Sequence, residues 1–373
     1  MAQSNATQLA IVLSAFFLPI LTYLYFTRVQ PKKSNAGPLP PPTEITALYI
    51  HPIKSCHGIK VQSAKLLPTG LDLGMFNLNV HPLSLPLTIH TDRQWMWVTA
   101  SNYEFLTIRQ NARMTLIRPT YDAQTDTLTV TAPAPNSIDE KLEFKIPAHP
   151  SADWLASNTE RHEAKIWNQW TPAQVYSTDL TASFNAFFGT EVRLVYKPPQ
   201  STEPRALRSN GAADVLGRTA STCFPDLMPV LIGTQSSIDE LNSRIAAAEN
   251  GDLALDVSRF RPNILVRGQA SAPWDEDRWK TLRIVDGGKT VTNLDVTQRC
   301  ARCHVPNVDP ETAEEHKRQP WDTLMKYRRV DAGITYKPCY GMLCVPRETG
   351  EIKVGMQLEV REVTDQHRYI AGF

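Results

Sequence analysis

The chain has 373 residues, a formal net charge of +1 and six cysteines. This length suffices for one large or two ordinary domains, each with a substantial core. A net charge near zero provides no long-range field for nucleic acid, so nucleic acid is excluded as the expected partner. Six cysteines are too few for a disulfide-stapled secreted scaffold, which indicates reduced thiols facing a cytosol-like compartment. The 28 prolines outnumber the 17 glycines, which favours a loop-rich β architecture.

The first element is an uncharged apolar run over residues 9–26, LAIVLSAFFLPILTYLYF. As an α-helix it would reach about 27 Å, so residues 1–26 are predicted to form one transmembrane anchor helix. Arg28, Lys32 and Lys33 follow the run and no basic residue precedes it, which predicts that the C-terminal domains face the cytosol. A cleaved signal peptide is the alternative, but it requires a basic segment before the apolar run. Residues 27–44 are proline-rich and are predicted to form a linker.

Short β-strands dominate the next part of the chain. They are predicted where apolar and β-branched residues occur in short runs bounded by turn residues. The runs are ITALYI at 45–50, IKVQSAKL at 59–66, and residues 94–99, 114–117, 128–131 and 142–146. Strands of this length and spacing are typical of barrels and sandwiches. We therefore predict a β domain over residues 45–180, in which residues 147–178 are less regular.

A second domain is predicted over residues 181–373, with a short helix, LTASFNAFF, at its start that ends at Gly189. The segment VRLVY at 192–196 is predicted to be a strand, and residues 197–224 a polar surface loop. A longer helix is predicted over residues 237–250, because Ser237 and Glu240 have the spacing of a capping box and Gly251 follows. Strands are predicted at 263–266, 281–285 and 291–296, and again in EIKVGMQLEVREV at 351–363.

Two segments of this domain invite motif assignments that the residues do not support. Residues 287–290, GGKT, resemble the end of a phosphate-binding loop, but Arg283 stands where its first glycine belongs. A hairpin turn is the better interpretation. Residues 300–304, CARCH, match the short pattern of covalent haem attachment, which needs a compartment and machinery that a cytosol-facing domain lacks.

The thiols of Cys300 and Cys303 leave several chemistries open. Together with Cys339 and Cys344 they could form a four-thiolate zinc site. A thioredoxin-like dithiol is disfavoured because no βαβ pattern surrounds the pair. Alternatively, one thiolate could bind a metal carried by an anionic organic cofactor, and Arg299 and Arg302 would favour the deprotonated sulfur.

An anionic cofactor needs cationic and polar donors, and separate stretches of the chain offer them. They are HPIKSC at 51–56, DR at 92–93, FLTIRQ at 105–110 and SRFRPN at 258–263. These stretches and the cysteine pair resemble the MOSC family of molybdenum-cofactor proteins, in particular its mitochondrial amidoxime-reducing members. FPDLMPVLIGTQSSIDELNSRI, PWDEDRW, VDPETA and TGEIKVGMQLEV are similar to further stretches of the family and occur in the same order. The resemblance covers nearly the whole chain, except residues 134–178.

The resemblance implies a mostly β fold with some α, in which an N-terminal β-barrel domain is followed by a MOSC β-barrel domain. It implies that the cofactor is Mo-molybdopterin and that Cys303 is the catalytic residue and the protein ligand to molybdenum. Cys300 belongs to the signature but is not expected to ligate. The residues implied to bind the pterin or its phosphate are Lys54, Ser55, Arg93, Asp226, Arg261, Asn263 and Arg302. Thr107 and Arg109 lie in a matching motif, His304 departs from the pattern, and Leu227 stands where the family can have a hydroxyl residue.

The resemblance also implies an activity and partners. Such a protein reduces N-hydroxylated compounds (amidoximes, hydroxylamines and N-oxides) with electrons from cytochrome b5 and NADH-cytochrome b5 reductase. The chain carries no Rossmann or flavin fingerprint of its own, in keeping with separate electron-supplying partners. The implied location is the mitochondrial outer membrane. The alternatives are a carrier of the molybdenum cofactor or of sulfur, and a zinc-stabilised, non-catalytic membrane adaptor.

Overall fold

The computed structural model describes residues 17, 19, 36–73, 91–135, 137, 139–198, 203–248 and 253–372. Residues 1–37 and residues 38–373 are separate compact units. The predicted anchor at 9–26 and most of the linker lie outside the described residues. Among the residues that are described, no helix is long and apolar enough to cross a membrane.

The secondary structure of the described residues is mostly β, as predicted. The strands, in chain order, are β1 (Thr43–Ile50), β2 (Ile59–Val61), β3 (Ser63–Leu67), β4 (Gly70–Asp72), β5 (Trp95–Thr99), β6 (Arg118–Asp122), β7 (Thr127–Pro133), β8 (Lys141–Pro147), β9 (Thr159–Ile166), β10 (Gln169–Tyr176), β11 (Val192–Tyr196), β12 (Arg205–Ala206), β13 (Ser221–Thr222), β14 (Val230–Thr234), β15 (Ile264–Val266), β16 (Trp279–Asp286), β17 (Lys289–Ala301), β18 (Cys339–Pro346), β19 (Gly350–Lys353) and β20 (Gln357–Val363). The α-helices are Ala152–Asn158, Thr178–Thr181, Asn185–Phe188, Ala213–Leu216, Gln235–Ala248 and Trp321–Tyr327. Short 3-10 helices span Ala112–Leu116, Ala182–Phe184, Ser209–Gly211, Val257–Phe260, Asp275–Arg278 and Val305–Asn307.

A closed barrel organises the C-terminal half. Its strand order is β15-β14-β18-β17-β16-β20-β1, and β1 closes the ring by pairing with β15 as well as with β20. β14 and β18 are buried along their whole lengths, whereas buried and half-buried residues alternate over the first four positions of β1. Side chains such as Ile45, Leu282 and Met342 fill the interior of the barrel. One strand near the N-terminus therefore completes the barrel that the C-terminal half builds.

The N-terminal region forms smaller sheets around a core of its own. β9, β10, β11 and β5 make a four-stranded sheet, and β6, β7 and β8 make a three-stranded meander. Trp95 and Trp97 on β5 are completely buried in this core. β11 lies beyond residue 180 and yet pairs with β5 and β10. The domain boundary near residue 180 stays a prediction.

Two predictions for the N-terminal region were wrong. Residues 114–117 are not a strand, because the Asn111 side chain accepts the Arg113 N–H and starts the 3-10 helix Ala112–Leu116. Residues 147–178 are not irregular, since they hold the helix Ala152–Asn158 and the β9–β10 hairpin. Residues 160–163 of β9 are polar and all exposed, so the strand lacked the alternating apolar pattern that predicts one.

The segment 197–224, predicted as a polar surface loop, contains short helices and strands in its described part. It contains β12, β13 and the helix Ala213–Leu216. Arg205 is buried and donates to the backbone oxygens of Cys223 at 3.0 Å and Pro225 at 2.8 Å. The surface-loop prediction was wrong because a polar sequence does not exclude burial. Backbone oxygens that accept hydrogen bonds offset the free-energy cost of burying a cationic side chain.

The helix predicted at 237–250 begins two residues earlier, at Gln235, and is described as far as Ala248. Its N-cap is Thr234, whose hydroxyl accepts the N–H of Ser237 at 3.4 Å. The prediction that Ser237 and Glu240 form the capping box was therefore wrong. The predicted hairpin turn is confirmed, since Gly287 and Gly288 have positive φ angles and join β16 to β17. β17 continues to Ala301 and thereby carries Cys300 to the end of the barrel.

Candidate functional site

A single cavity of about 260 Å³ contains all the predicted site residues. The residues that line it come from loops and strand ends that are spread along the sequence. They are Lys54, Ser55, Arg93, Thr107, Ile108, Arg109, Trp167, Pro225, Asp226, Leu227, Met228, Leu231, Phe260, Arg261, Asn263, Cys300, Ala301, Arg302, Cys303, Val305, Ile334, Lys337, Leu343 and Tyr369. The structure thus brings Cys303 together with the seven residues predicted to bind a cofactor.

The backbone holds several of these residues in an unusual conformation. Ser55, Arg93 and Arg261 have φ angles of 68°, 51° and 57°, in the left-handed region that residues other than glycine seldom adopt. Such conformations cost free energy and persist where the surrounding structure imposes them, commonly at functional sites. Their grouping around one cavity indicates that its lining is positioned for a ligand.

One side of the cavity carries a network of three charged groups. The Lys54 ammonium hydrogen-bonds Asp226, whose other carboxylate oxygen accepts from Arg109 at 2.9 Å. Burial alone would raise the pKa of Asp226, but Lys54 and Arg109 outweigh it and hold that pKa well below its usual range. Burial lowers the pKa of Lys54 to about 8, and Asp226 opposes this decrease. At neutral pH the network therefore carries two positive charges and one negative charge.

Beneath a second part of the lining lies a buried carboxylate. Asp92 accepts from the backbone N–H of His51 at 2.7 Å and from Arg93 at 2.5 Å. Burial would raise the pKa of Asp92, but Arg93 and His51 reduce it to about 2. Arg93 also donates to the side-chain oxygen of Asn263 at 3.2 Å and to the backbone of Arg261 at 3.4 Å. These contacts fix Arg93 and Asn263, which come from the two halves of the sequence.

The cysteine pair lies at the end of β17. Arg302 is buried and donates to the Phe260 carbonyl at 2.7 Å and to the Cys300 sulfur at 3.1 Å. Cys300 and Cys303 are both half-buried and both line the cavity. His304 instead stacks on Trp321, with ring centroids 4.2 Å apart, and does not line the cavity.

Arg261 provides a test of whether the cavity fits an anionic cofactor. Its Nη2 atom is buried and has no hydrogen-bond partner within the described part of the chain. Burial and the nearby Arg93 lower the pKa of Arg261 to about 9, which leaves it protonated at neutral pH. A buried cationic donor without an acceptor is costly. A phosphate group would supply the missing acceptor, so the lining fits a ligand that carries one.

The four-thiolate zinc site, in contrast, does not form. Cys339 and Cys344 are buried in β18, where Cys344 packs into the barrel core. Over the described ranges, no three or more His, Cys, Asp or Glu side chains are grouped so that they could hold a metal ion. The spacing of the cysteines was misleading because two of the four are core residues.

Some lining residues were not predicted. Trp167 comes from the turn of the β9–β10 hairpin, and Lys337 and Tyr369 come from the C-terminal segments. No local pattern distinguishes a single tryptophan or lysine of this kind from an ordinary surface residue. Arg109 was singled out in its motif without a role, and the structure places it in the charged network.

Two family models match the chain. A MOSC N-terminal beta barrel domain covers residues 43–191, and a MOSC domain covers residues 221–359. Lys54, Ser55 and Arg93 lie in the first match, and the other predicted site residues lie in the second. This chain is a MOSC-domain protein. The predicted family is thereby confirmed, whereas the roles of the single residues stay predictions.

Curated relatives of this MOSC-domain protein are similar over most of its length. It is 28% identical to "Mitochondrial amidoxime-reducing component 1" of Homo sapiens over 315 residues, which is 83% of this chain and 81% of the relative. It is 26% identical to "Mitochondrial amidoxime reducing component 2" of Bos taurus over 315 residues, with the same two shares. It is also 26% identical to "Mitochondrial amidoxime-reducing component 1" of Danio rerio over 313 residues, or 83% and 82% of the two chains.

Proposed function

We propose that this MOSC-domain protein is a molybdenum-cofactor reductase of N-hydroxylated compounds such as amidoximes, hydroxylamines and N-oxides. The observation that carries the proposal is the cavity, in which a half-buried thiol meets cationic donors from both family-model regions. A thiolate is a suitable soft ligand for such a metal, and the cations suit the phosphate of its pterin. The names of the relatives support amidoximes as substrates, and hydroxylamines and N-oxides are added because they share the N-bound oxygen.

The lining residues would hold the cofactor in separate ways. Cys303 would bind the metal through its sulfur. Lys54, Ser55, Arg93, Arg261, Asn263 and Arg302 would donate hydrogen bonds to the pterin and its phosphate. Asp226 accepts from Lys54 and Arg109 and so orients two of the cations. Donors from both halves of the sequence then converge on one anionic ligand, which helps to hold those halves together.

The cofactor, when bound, supplies a metal centre that exchanges two electrons. The net reaction for an amidoxime breaks the N–O bond: R–C(=N–OH)NH2, two electrons and two protons give R–C(=NH)NH2 and water. The substrate would lie in the cavity next to Cys303. The positive lining of the cavity suits a reacting oxygen that gains electron density as the bond breaks.

Electrons are proposed to come from cytochrome b5, which NADH-cytochrome b5 reductase reduces in turn. We further place the protein at the mitochondrial outer membrane, with the apolar run at 9–26 as its anchor and residues 38–373 in the cytosol. The apolar run, the basic residues that follow it and the word "mitochondrial" in the names of the relatives support this location.

The test uses the full chain, produced in a host that makes the molybdenum cofactor. We expect about one molybdenum atom per chain and reduction of benzamidoxime to benzamidine by NADH, cytochrome b5 and its reductase. Cys303→Ala should abolish this reduction, because the metal loses its protein ligand. Cys300→Ala is the matched control and should retain molybdenum and most of the activity.

Two results would contradict the proposal. The first is a chain that holds no molybdenum although the host supplies the cofactor to a known molybdoenzyme. The second is a Cys303→Ala variant that reduces benzamidoxime at the wild-type rate.

A further inference from the structure

Among the cavity cations, Arg109 is distinguished by its exposure. Its side chain is 33% exposed, compared with 13% for Arg93 and 6% for Lys54. Two of the buried cations already have protein acceptors, since Lys54 donates to the Phe224 carbonyl at 2.9 Å and Arg302 to the Phe260 carbonyl at 2.7 Å. Arg109 therefore lies on the open side of the lining, where a molecule entering from solvent meets it.

Two neighbours hold the Arg109 guanidinium in place. Asp226 accepts from its Nη2 at 2.9 Å, and the ring of Trp167 lies 4.8 Å from its central carbon. Trp167 also donates its indole N–H to Asp226 at 3.2 Å. The turn of the β9–β10 hairpin presents Trp167 with a φ angle of 54°, a conformation that is unusual for a bulky residue. Arg109 is thus fixed by residues that are far apart in the sequence.

Arg109 retains unused hydrogen-bonding capacity close to Cys303. A guanidinium has five N–H donors in a rigid fork, and Asp226 occupies one of its ends. Arg109 and Cys303 line the same cavity. A fixed cation with spare donors therefore lines the same cavity as the residue predicted to hold the metal.

We propose that Arg109 is a substrate-contacting residue, which donates a charge-assisted hydrogen bond to the N-bound oxygen of the substrate, and that Trp167 and Asp226 position it. This inference rests on the proposed function and adds the residue that recognises the oxygen. It assigns a preference for compounds whose reacting nitrogen carries an oxygen acceptor over the same compounds without it. A role in holding the cofactor is the alternative.

The test compares two ligands that differ by one oxygen atom. Benzamidoxime and benzamidine are titrated, without any reductant, into the full-length molybdenum-loaded protein, and the dissociation constants are measured by calorimetry. In Arg109→Gln we expect benzamidoxime to bind roughly tenfold to a hundredfold more weakly, the effect of losing one charge-assisted hydrogen bond. Benzamidine, which lacks the oxygen and is itself a cation, should bind no more weakly than to the wild type.

Matched variants separate this role from others. Arg113→Gln removes a nearby arginine that packs on Phe187 at 4.7 Å and does not line the cavity, so it should change neither constant. Arg109→Lys keeps the charge and should recover part of the benzamidoxime affinity. The molybdenum content of Arg109→Gln should equal that of the wild type.

The inference is overturned if Arg109→Gln weakens the binding of both ligands equally or changes neither dissociation constant. It is also overturned if the variant loses its molybdenum, because Arg109 would then be a cofactor-holding residue. Failure of the proposed function is recognised separately, in a wild-type chain that holds no molybdenum or does not reduce benzamidoxime.

Discussion

Lys54 and Asp226 are 172 positions apart in the chain and form an ion pair inside the cavity. Lys54 lies between β1 and β2, and Asp226 lies between β13 and β14. The pair therefore links the two regions that the family models match. Because the ammonium is almost fully buried, it depends on Asp226 and on the Phe224 carbonyl to replace the water it has lost.

Replacing Asp226 with asparagine should destabilise the protein at neutral pH. The change leaves a buried ammonium and a partly buried guanidinium without their counter-ion, and we expect a loss of about 1–2 kcal/mol, since Asp226 is itself partly exposed. Urea unfolding at pH 7 measures it. The matched control is Glu311→Gln, which removes an exposed partner of Arg118 and should cost less than about 0.5 kcal/mol.

The same variant has a defined pH dependence. The pKa of Lys54 is lowered to about 8 in the folded protein, below its unfolded value. Below pH 8 the Lys54 side chain of the wild type is charged, and Asp226 stabilises that charge. Above pH 8 the lysine is neutral with or without Asp226, so this stabilisation is lost. The stability difference between Asp226→Asn and the wild type should therefore shrink between pH 7 and pH 9.5, to the part that Arg109 contributes. A difference that grows over this range would contradict the assignment.

Arg261 should show opposite effects on loading and on stability. Its buried Nη2 has no acceptor in the described chain, so the guanidinium is costly until an anionic ligand binds. Arg261→Met keeps a similar length without the charge. We expect molybdenum content to fall at least tenfold, and the cofactor-free variant to be as stable as the cofactor-free wild type or up to about 2 kcal/mol more stable.

The control for Arg261→Met is Arg267→Met, which alters an exposed arginine paired with Glu44. It should change neither the molybdenum content nor the free energy of unfolding measurably. Molybdenum is measured by elemental analysis and stability by urea unfolding of the cofactor-free proteins. An Arg261→Met chain with the wild-type molybdenum content would contradict the cofactor-holding role. One that loses several kcal/mol of stability without the cofactor would show that this arginine is structural.

Local sequence patterns missed β14 and β18, which are buried along their whole lengths, but predicted the other five barrel strands, because apolar residues recur along strands such as β16 and β20, which face a single core. They could not predict that β1 closes the barrel against β15, since this pairing joins Ile45 to Val266 and leaves no local trace. The strand predicted at 114–117 failed for a different reason. A single side-chain cap from Asn111 outweighed the apolar run that follows it.

The candidate site was predicted largely through the ordered family motifs. Spacing alone proposed a zinc site, which required Cys344 to leave the barrel core. Trp167 was missed because its place in the cavity depends on a hairpin turn with positive φ, and on Arg109, which is far away in the sequence. Residues that act through long-range neighbours are visible only once the fold has brought them together.

His149 should give the protein a pH-dependent stability that does not involve the cavity. Its ring contacts Asp126 in the turn between β6 and β7 at 2.5 Å, and Asp72 at the end of β4 at 3.0 Å. Burial alone would lower the pKa of His149, but the hydrogen bonds to Asp126 and Asp72 outweigh it and raise the pKa to about 9. The charged imidazole therefore joins the β6–β8 meander to β4.

A histidine whose pKa is raised on folding stabilises the protein fully below its unfolded pKa, and the effect is lost as the pH rises through the folded value. With an ordinary value of 6.5 and a folded value of about 9, the contribution is complete at pH 6 and absent at pH 10. We expect the stability difference between the wild type and His149→Gln to be about 2–3 kcal/mol larger at pH 6 than at pH 10.

Urea unfolding at both pH values measures this difference. The variant Asp72→Asn tests its origin, because it removes one of the two carboxylates that raise the pKa of His149. In the Asp72→Asn background, the effect of His149→Gln should depend less on pH than it does in the wild type. If His149→Gln costs the same at pH 6 and pH 10, the imidazole is neutral in the folded protein and the ionic link between the meander and β4 does not exist.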